Sequence, residues 1–145
     1  MTCAPLYAED LSIKISLGIR DNDKLFEEGE KGIAKYPLAF RIENTSKMLI
    51  DKHTIPNLFF QGTIHVLTKE GKEEKTKFQT MWRTTIYDLQ PGATFESPVY
   101  GDLLAFFASL KDGDYQVWWT LRELTSNTLR VTVTNGKVTR TYSEI

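Results

Sequence analysis

Histidine is the side chain best suited to proton transfer near neutral pH, and the chain has two, His53 and His65. Asp51-Lys52-His53 separates a carboxylate and an imidazole by one residue, so a strand there would carry both on one face. That carboxylate could orient the ring, but no nucleophile elbow accompanies the pair. His65 is opposite in parity to Ile64 and Val66, which predicts that it faces solvent or a sheet edge. We therefore predict no catalytic residue and no enzymatic activity.

Metal and phosphate ligands are equally sparse. Two histidines and one cysteine, without a cysteine pair or a spaced carboxylate cluster, fall short of a zinc site. The acidic segment DNDKLFEEGE at residues 21–30 lacks the spacing of a helix-loop-helix calcium loop, and no glycine-rich phosphate loop is present. The sequence thus predicts no metal and no cofactor, and a solvated acidic loop at residues 21–30.

The composition is that of an ordinary globular protein, with 41% hydrophobic and 26% charged residues in a chain of 145. Because this length can bury a core without disulfides, we predict a tail at residues 1–10 and one domain at residues 11–145. The formal net charge is −1, and acids and bases alternate in segments such as TKEGKEEKTK at residues 68–77. Since phosphate binding needs clustered lysine and arginine, no nucleic-acid partner is expected.

Cys3 is the single cysteine, so an intrachain disulfide is impossible, which fits a reducing compartment such as the cytoplasm. The first ten residues lack a signal-peptide pattern, and no run approaches the roughly 20 apolar residues of a membrane span. The cytoplasm is therefore the favoured location, and no membrane span is predicted. The alternative is a bacterial envelope lipoprotein whose signal has been removed and whose lipid is carried by Cys3.

Apolar and polar residues alternate over most of the chain, as in strands with one buried face. The clearest strand is LSIKISL at residues 11–17. Others are predicted in PLAFRIENTS (37–46), KMLIDKHTI (47–55), NLFFQGTIHVLT (57–68), KTKFQTMWRTTIYDL (75–89), DYQVWWTLREL (114–124), NTLRVTVTN (127–135) and KVTRTYSEI (137–145). The strands at residues 57–68 and 75–89 are predicted to form a long hairpin around Gly71.

Turn residues mark where these strands end. Pro91-Gly92 predicts a type II turn, because proline presets the first central position and glycine accepts positive φ at the second, and a strand near residues 93–97 should follow. Asn135-Gly136 predicts a tight hairpin. Asn44-Thr45-Ser46 matches the N-glycosylation sequon, which we interpret as a chance match.

The segment DLLAFFASL at residues 102–110 breaks the alternation and predicts the only helix of the chain. Its apolar face would consist of Leu103, Phe106, Phe107 and Leu110. About eight or nine strands with one short helix near residues 102–110 predict an all-β antiparallel sandwich. A closed barrel that carries a small apolar ligand is a less favoured alternative, because the Pro91-Gly92 turn and the helical insert argue against it.

Three segments, LQPGATFESP, LKDGDYQVWW and NTLRVTVT, resemble the last three strands of an immunoglobulin-like or fibronectin type III-like domain. In such domains a tyrosine near the start of the sixth strand hydrogen-bonds back across a corner, and Tyr115 stands there. Val117 replaces the cysteine of antibody-type domains, so the resemblance is to the broader sandwich group. RIENTSKMLI also resembles an early turn of bacterial sandwich modules, including the bacterial intracellular proteinase inhibitor family. The resemblance implies an immunoglobulin-like sandwich and inhibitor-like protein binding.

Two adjacent tryptophans supply the best candidate for a binding site. Trp119 shares its parity with Tyr115 and Leu121 and is predicted to lie in the core, so Trp118 should point outward. Pairing with residues 127–135 is predicted to place Trp118 opposite Thr132 and diagonal to Arg130, which could cover the indole as a cation–π pair. The other interpretation is a recognition platform. Its residues would be Trp118, Arg122, Arg130 and, on the same face or in the core, Trp82.

A stable scaffold without catalytic groups predicts a non-enzymatic module that binds a protein partner, such as a protease, through loops or an edge strand. The loops in question are residues 18–35 and RELTSN at residues 122–127. The alternative is a carbohydrate-binding module in which Trp118, with Trp82 or Tyr100, stacks on sugar rings.

Overall fold

Two antiparallel sheets form the framework of the protein. The computed structural model describes residues 12–19, 38–78, 87–97 and 101–143. Its strands are β1 (Ile13–Ile19), β2 (Leu38–Asn44), β3 (Gly62–Thr68), β4 (Glu73–Lys77), β5 (Thr94–Ser97), β6 (Gly113–Leu121), β7 (Leu124–Thr125), β8 (Leu129–Thr134) and β9 (Lys137–Ser143). Its helices are α1 (Thr54–Phe60) and α2 (Gly101–Ala108).

The smaller sheet has the strand order β1–β2–β5 and the larger the order β4–β3–β6–β8–β9, with β7 also paired to β6. Buried side chains from both sheets, such as Phe40 of β2 and Trp119 of β6, belong to one hydrophobic cluster. The protein is therefore an all-β antiparallel sandwich, as the alternation predicts. The described residues contain nine strands, in agreement with the predicted eight or nine.

The period-two pattern correctly identifies the inner faces of the strands. In β1 the buried side chains are Ile15 and Leu17, and in β6 they are Tyr115, Val117, Trp119 and Leu121. The turns also agree with prediction. Gly92 has a φ of 81°, and Asn135 and Gly136 both have positive φ, the signature of a type I′ hairpin.

The helix α2 confirms the prediction at residues 102–110, although it begins at residue 101 and ends at residue 108. Phe107 is fully buried, and Phe106 and Leu110 pack against the core. The side chain of Leu103 lies outside the described residues. The predicted hairpin around Gly71 is also confirmed, since β3 and β4 pair on either side of that residue, although β4 ends at Lys77.

The prediction of a single helix and of strands through residues 47–60 is wrong, because residues 54–60 form α1. Asp51 begins the helix by accepting hydrogen bonds from the backbone N–H of His53 at 2.7 Å and of Thr54 at 2.9 Å. Pro56 falls in the first turn, where its missing N–H costs nothing. Ile55, Leu58 and Phe59 then face the core at helical spacing. Asp51 and His53 consequently do not share a strand face.

The hydroxyl of Tyr115 donates a 2.6 Å hydrogen bond to the carbonyl oxygen of Lys111, four residues earlier. This bond fastens the start of β6 to the segment before it. Burial of the ring raises the pKa of Tyr115 above its ordinary value, and the negative charges of Glu70 and Asp112 raise it further.

Tyr115→Phe is expected to lower the free energy of unfolding by about 1 kcal/mol near neutral pH, because one hydrogen bond is lost while the ring stays packed. The raised pKa means that the phenol of the folded protein ionises later than that of the unfolded chain. Its contribution is therefore complete below pH 10.0 and disappears as the pH rises through the folded-state value. Urea unfolding at a series of pH values should show the wild type losing stability above pH 10.0 more steeply than the phenylalanine variant. Parallel curves would contradict this role.

Candidate functional site

Trp118 lies on the outer face of the larger sheet, partly buried, as its parity predicts. Its ring stacks on that of His65, the residue directly opposite on β3, with centroids 5.1 Å apart and planes 3° from parallel. The Nε2 atom of His65 is 2.9 Å from the hydroxyl oxygen of Thr120. His65 thus lies on the outer face, as predicted, but one ring face is covered by the indole.

Charged residues of β4 adjoin this stack. The Oε2 atom of Glu73 is 3.6 Å from Nδ1 of His65 and 3.2 Å from Nζ of Lys75. The hydrogen bond from Lys75 lowers the pKa of Glu73 below its ordinary value, and His65 contributes in the same direction. Among the described residues no group of histidine, cysteine or carboxylate side chains could hold a metal ion.

The predicted position of Trp118 opposite Thr132 is wrong. In the structure Thr132 pairs with Asp114, four positions earlier, and Arg130 pairs with Gln116. The cause is β7, which occupies the edge of β6 beyond Val117 by pairing with Thr120 and Leu121. β8 is thereby displaced toward the start of β6, and Arg130 remains diagonal to Trp118 in this register.

The four predicted binding residues do not form one described site. Arg122 has a φ of 56° in the turn between β6 and β7, and its Nε donates a 2.9 Å hydrogen bond to Oε1 of Gln61. Trp82 and Tyr100 lie outside the described residues. The loop predicted at residues 18–35 is described only for Gly18 and Ile19.

A groove of about 380 Å³ runs beside β1. One wall is β1 itself, and the other is formed by β7 and Asn127. The lining residues are Ile13, Lys14, Ile15, Ser16, Leu124, Thr125 and Asn127. The last three belong to the predicted binding loop at residues 122–127, whereas the part of β1 was predicted only as a strand.

The backbone of β1 points its polar groups into this groove at alternate residues. The backbone groups of Asn44 in β2 point toward β5, since its N–H donates to the carbonyl oxygen of Ala93 and its carbonyl oxygen accepts from the N–H of Gly92. Its cross-strand partner Ile13 therefore cannot hydrogen-bond to it. The same alternation turns the N–H and C=O groups of Ile15 and Leu17 away from β2. Leu17 shows this directly, since its N–H and carbonyl oxygen bind the side-chain amide of Asn127 at 2.8 and 2.7 Å.

The opposite wall carries a similar group. The N–H of Ser126 donates to the carbonyl oxygen of Trp119, so Ser126 faces β6 and its neighbour Thr125 faces away from β6, toward the groove. Within the described part of the chain, no residue hydrogen-bonds to the backbone of Ile13, Ile15 or Thr125 on the groove side. Both walls of the groove therefore have backbone donors and acceptors that no described residue pairs with.

Among the described residues, the β4 edge carries features that protect it against strand addition, and the β1 edge carries fewer of them. All residues of β4 are charged or polar, and its side chains form ion pairs such as Lys72–Glu74 at 3.3 Å. Charged side chains at an edge discourage pairing with another chain. β1 has seven residues, with Ile13 and Ile15 at the open positions. β5, which ends the smaller sheet among the described strands, has four residues.

Comparisons with models of protein families, with curated proteins and with solved structures find no match. No helix in the described ranges is both long and apolar enough to cross a membrane.

Proposed function

We propose that this protein is a non-enzymatic binding module that accepts an extended segment of a partner protein at the edge of β1. The observation that carries the proposal is the row of unpaired backbone groups at Ile13 and Ile15, facing a groove whose other wall offers Thr125. Peptides that add a strand to a sheet edge gain affinity from backbone hydrogen bonds and specificity from alternate side chains.

Asn127 indicates that this edge is competent to bind backbone-like groups. Its side-chain amide gives Leu17 one acceptor and one donor, the pair that a peptide unit of a neighbouring strand would supply. The side chain substitutes for a strand at one residue of β1 and leaves the preceding positions open. A bound segment would continue the same pattern at Ile15 and Ile13.

Two features support the resemblance to immunoglobulin-like and fibronectin type III-like modules. The strand order β1–β2–β5 faces a sheet in which β3, β6 and β8 are neighbours, and Tyr115 forms the hydrogen bond of a tyrosine corner. With the likeness of RIENTSKMLI to a proteinase inhibitor family, proteases become a reasonable partner class. Carbohydrate binding at Trp118 has less support, because His65 occupies one face of the indole that a sugar would need.

Ile13→Pro is expected to weaken peptide binding strongly without unfolding the protein. Proline removes an N–H that faces the groove rather than β2, and edge strands tolerate proline where the missing N–H is not part of the ladder. A displayed library of random peptides would be selected on the wild type, and the recovered peptides titrated against both proteins. We expect an affinity loss of about tenfold or more from one lost hydrogen bond and the added ring.

Ile13→Ala is the matched control, since it shortens the same side chain but keeps the N–H group. Its affinity should stay within a few-fold of the wild type, and in NMR spectra the amide signals of Ile15 and Thr125 should shift on binding. Recovery of peptides that bind Ile13→Pro as well as wild type, or no enrichment at all, would refute strand addition at this edge.

A further inference from the structure

We infer that the segment bound at the β1 edge has an apolar–acidic–apolar core in extended conformation. This inference rests on the proposed function and adds the chemistry of the partner. It follows from which face of β1 each groove residue occupies and from the charge that the groove presents.

Residues paired across neighbouring strands point to the same face of a sheet. Ile15 is buried on the inner face of the sandwich and Ile13 packs partly against the core. A segment bonded to the backbone of both would direct two of its side chains to that face, beside Leu124 on the other wall. Apolar side chains are favoured at these two positions because burial there removes their apolar surface from contact with water.

The residue between them would lie opposite Lys14, whose side chain is exposed on the outer face. None of the groove-lining residues carries a negative charge, and Lys14 forms no ion pair within the described part of the chain. Its cross-strand neighbour on the other side is Glu43 of β2. A carboxylate in the bound segment would place an opposite charge directly across from Lys14, which favours pairing.

Two structural features restrict the occupant further. Asn127 already satisfies Leu17, so the part of the edge that is open along the groove runs from Ile13 to Ile15 among the described residues and suits a short segment. A second copy pairing antiparallel through its own β1 would bring Ile13 opposite Ile15 and thus Lys14 opposite Lys14. Like charges directly opposite destabilise such a pair, so the heterologous acidic segment is favoured over self-association.

The test uses three end-capped peptides, Thr-Val-Glu-Val-Thr and its counterparts with glutamine or lysine at the centre. Calorimetric titration of the wild type should show the highest affinity for the glutamate peptide, a lower one for glutamine and the lowest for lysine. The dissociation constant should rise about threefold from glutamate to glutamine and about tenfold from glutamate to lysine. Lys14→Glu should invert the order. Lys14→Gln should remove the preference, which keeps the test valid if the charge reversal unfolds the protein.

Equal affinity of the three peptides for the wild type, with binding still lost in Ile13→Pro, would overturn the charge preference and leave strand addition standing. Binding of none of them, or equal binding by Ile13→Pro, would overturn both. Sedimentation analysis adds the remaining outcome. A concentration-dependent dimer of the wild type that Ile13→Pro abolishes would assign the edge to a second copy of the chain and overturn the inference.

Discussion

Replacing Trp119 by alanine is expected to lower the free energy of unfolding by about 3–5 kcal/mol, enough to unfold a domain of ordinary stability. The side chain is fully buried and stacks on Phe59, with ring centroids 5.4 Å apart and planes 7° from parallel. It also meets Phe40 of the opposite sheet edge-on at 6.0 Å. The indole Nε1–H donates a 2.9 Å hydrogen bond to the carbonyl oxygen of Ser16. Its removal would leave a cavity where both sheets and α1 meet.

Trp118→Ala is the matched control, since it removes the same side chain from the neighbouring residue. Trp118 is only partly buried, and its described ring contact is with His65, so a loss of about 1–2 kcal/mol is expected. Urea unfolding of the two variants, followed by circular dichroism, compares the costs directly. Equal costs, or a larger cost for Trp118→Ala, would contradict the assignment of the inner and outer faces of β6.

The faces of β6 could be predicted because they depend on local information. A strand with one buried side repeats every two residues, so Tyr115, Val117 and Trp119 identify the inner face whatever strands lie beside them. The turns at Gly92 and Gly136 are local in the same sense, since positive φ is a property of the residue itself. Neither inference needs the order of strands in the sheet.

Local sequence signals do not distinguish the helix α1 from a strand. A short and mostly apolar run such as Ile55 to Phe60 fits a buried strand and a helical turn equally well, and its length does not decide between them. The choice depends on tertiary contacts, because helical geometry brings Phe59 onto the ring of Trp119, 60 positions later in the chain. Only the folded arrangement contains that information.

Two features of the groove cannot be predicted from the alternation of apolar and polar residues. The pattern of β1 shows which side chains are inward, but it does not show that among the described strands only β2 pairs with β1. The two residues of β7 are too few to give a periodic signal, yet they displace β8 and form the second wall. Three residues of the loop predicted to bind a partner, Leu124, Thr125 and Asn127, line the groove, whereas the sequence predicts β1 only as a strand.

Asn44→Ala is expected to lower the free energy of unfolding by about 2–3 kcal/mol, because it leaves buried polar groups without their partners. The side chain of Asn44 is inaccessible to solvent, so its match to a glycosylation sequon cannot be used in the folded protein. Its Nδ2 donates to the carbonyl oxygens of Met48 at 2.8 Å and Leu89 at 2.9 Å. Its Oδ1 accepts from the N–H and the hydroxyl of Ser46 at 2.9 and 2.6 Å.

Asn127→Ala tests whether burial, rather than the number of hydrogen bonds, sets this cost. Asn127 also joins a loop to a strand by one donated and one accepted bond, but its side chain is exposed and water can replace it at Leu17. We therefore expect a loss of about 1 kcal/mol or less. Asn44→Asp should cost at least as much as Asn44→Ala, since a carboxylate would turn an acceptor toward two carbonyl oxygens. Denaturant unfolding of the three variants gives the comparison, and an equal cost for Asn127→Ala and Asn44→Ala would refute the argument from burial.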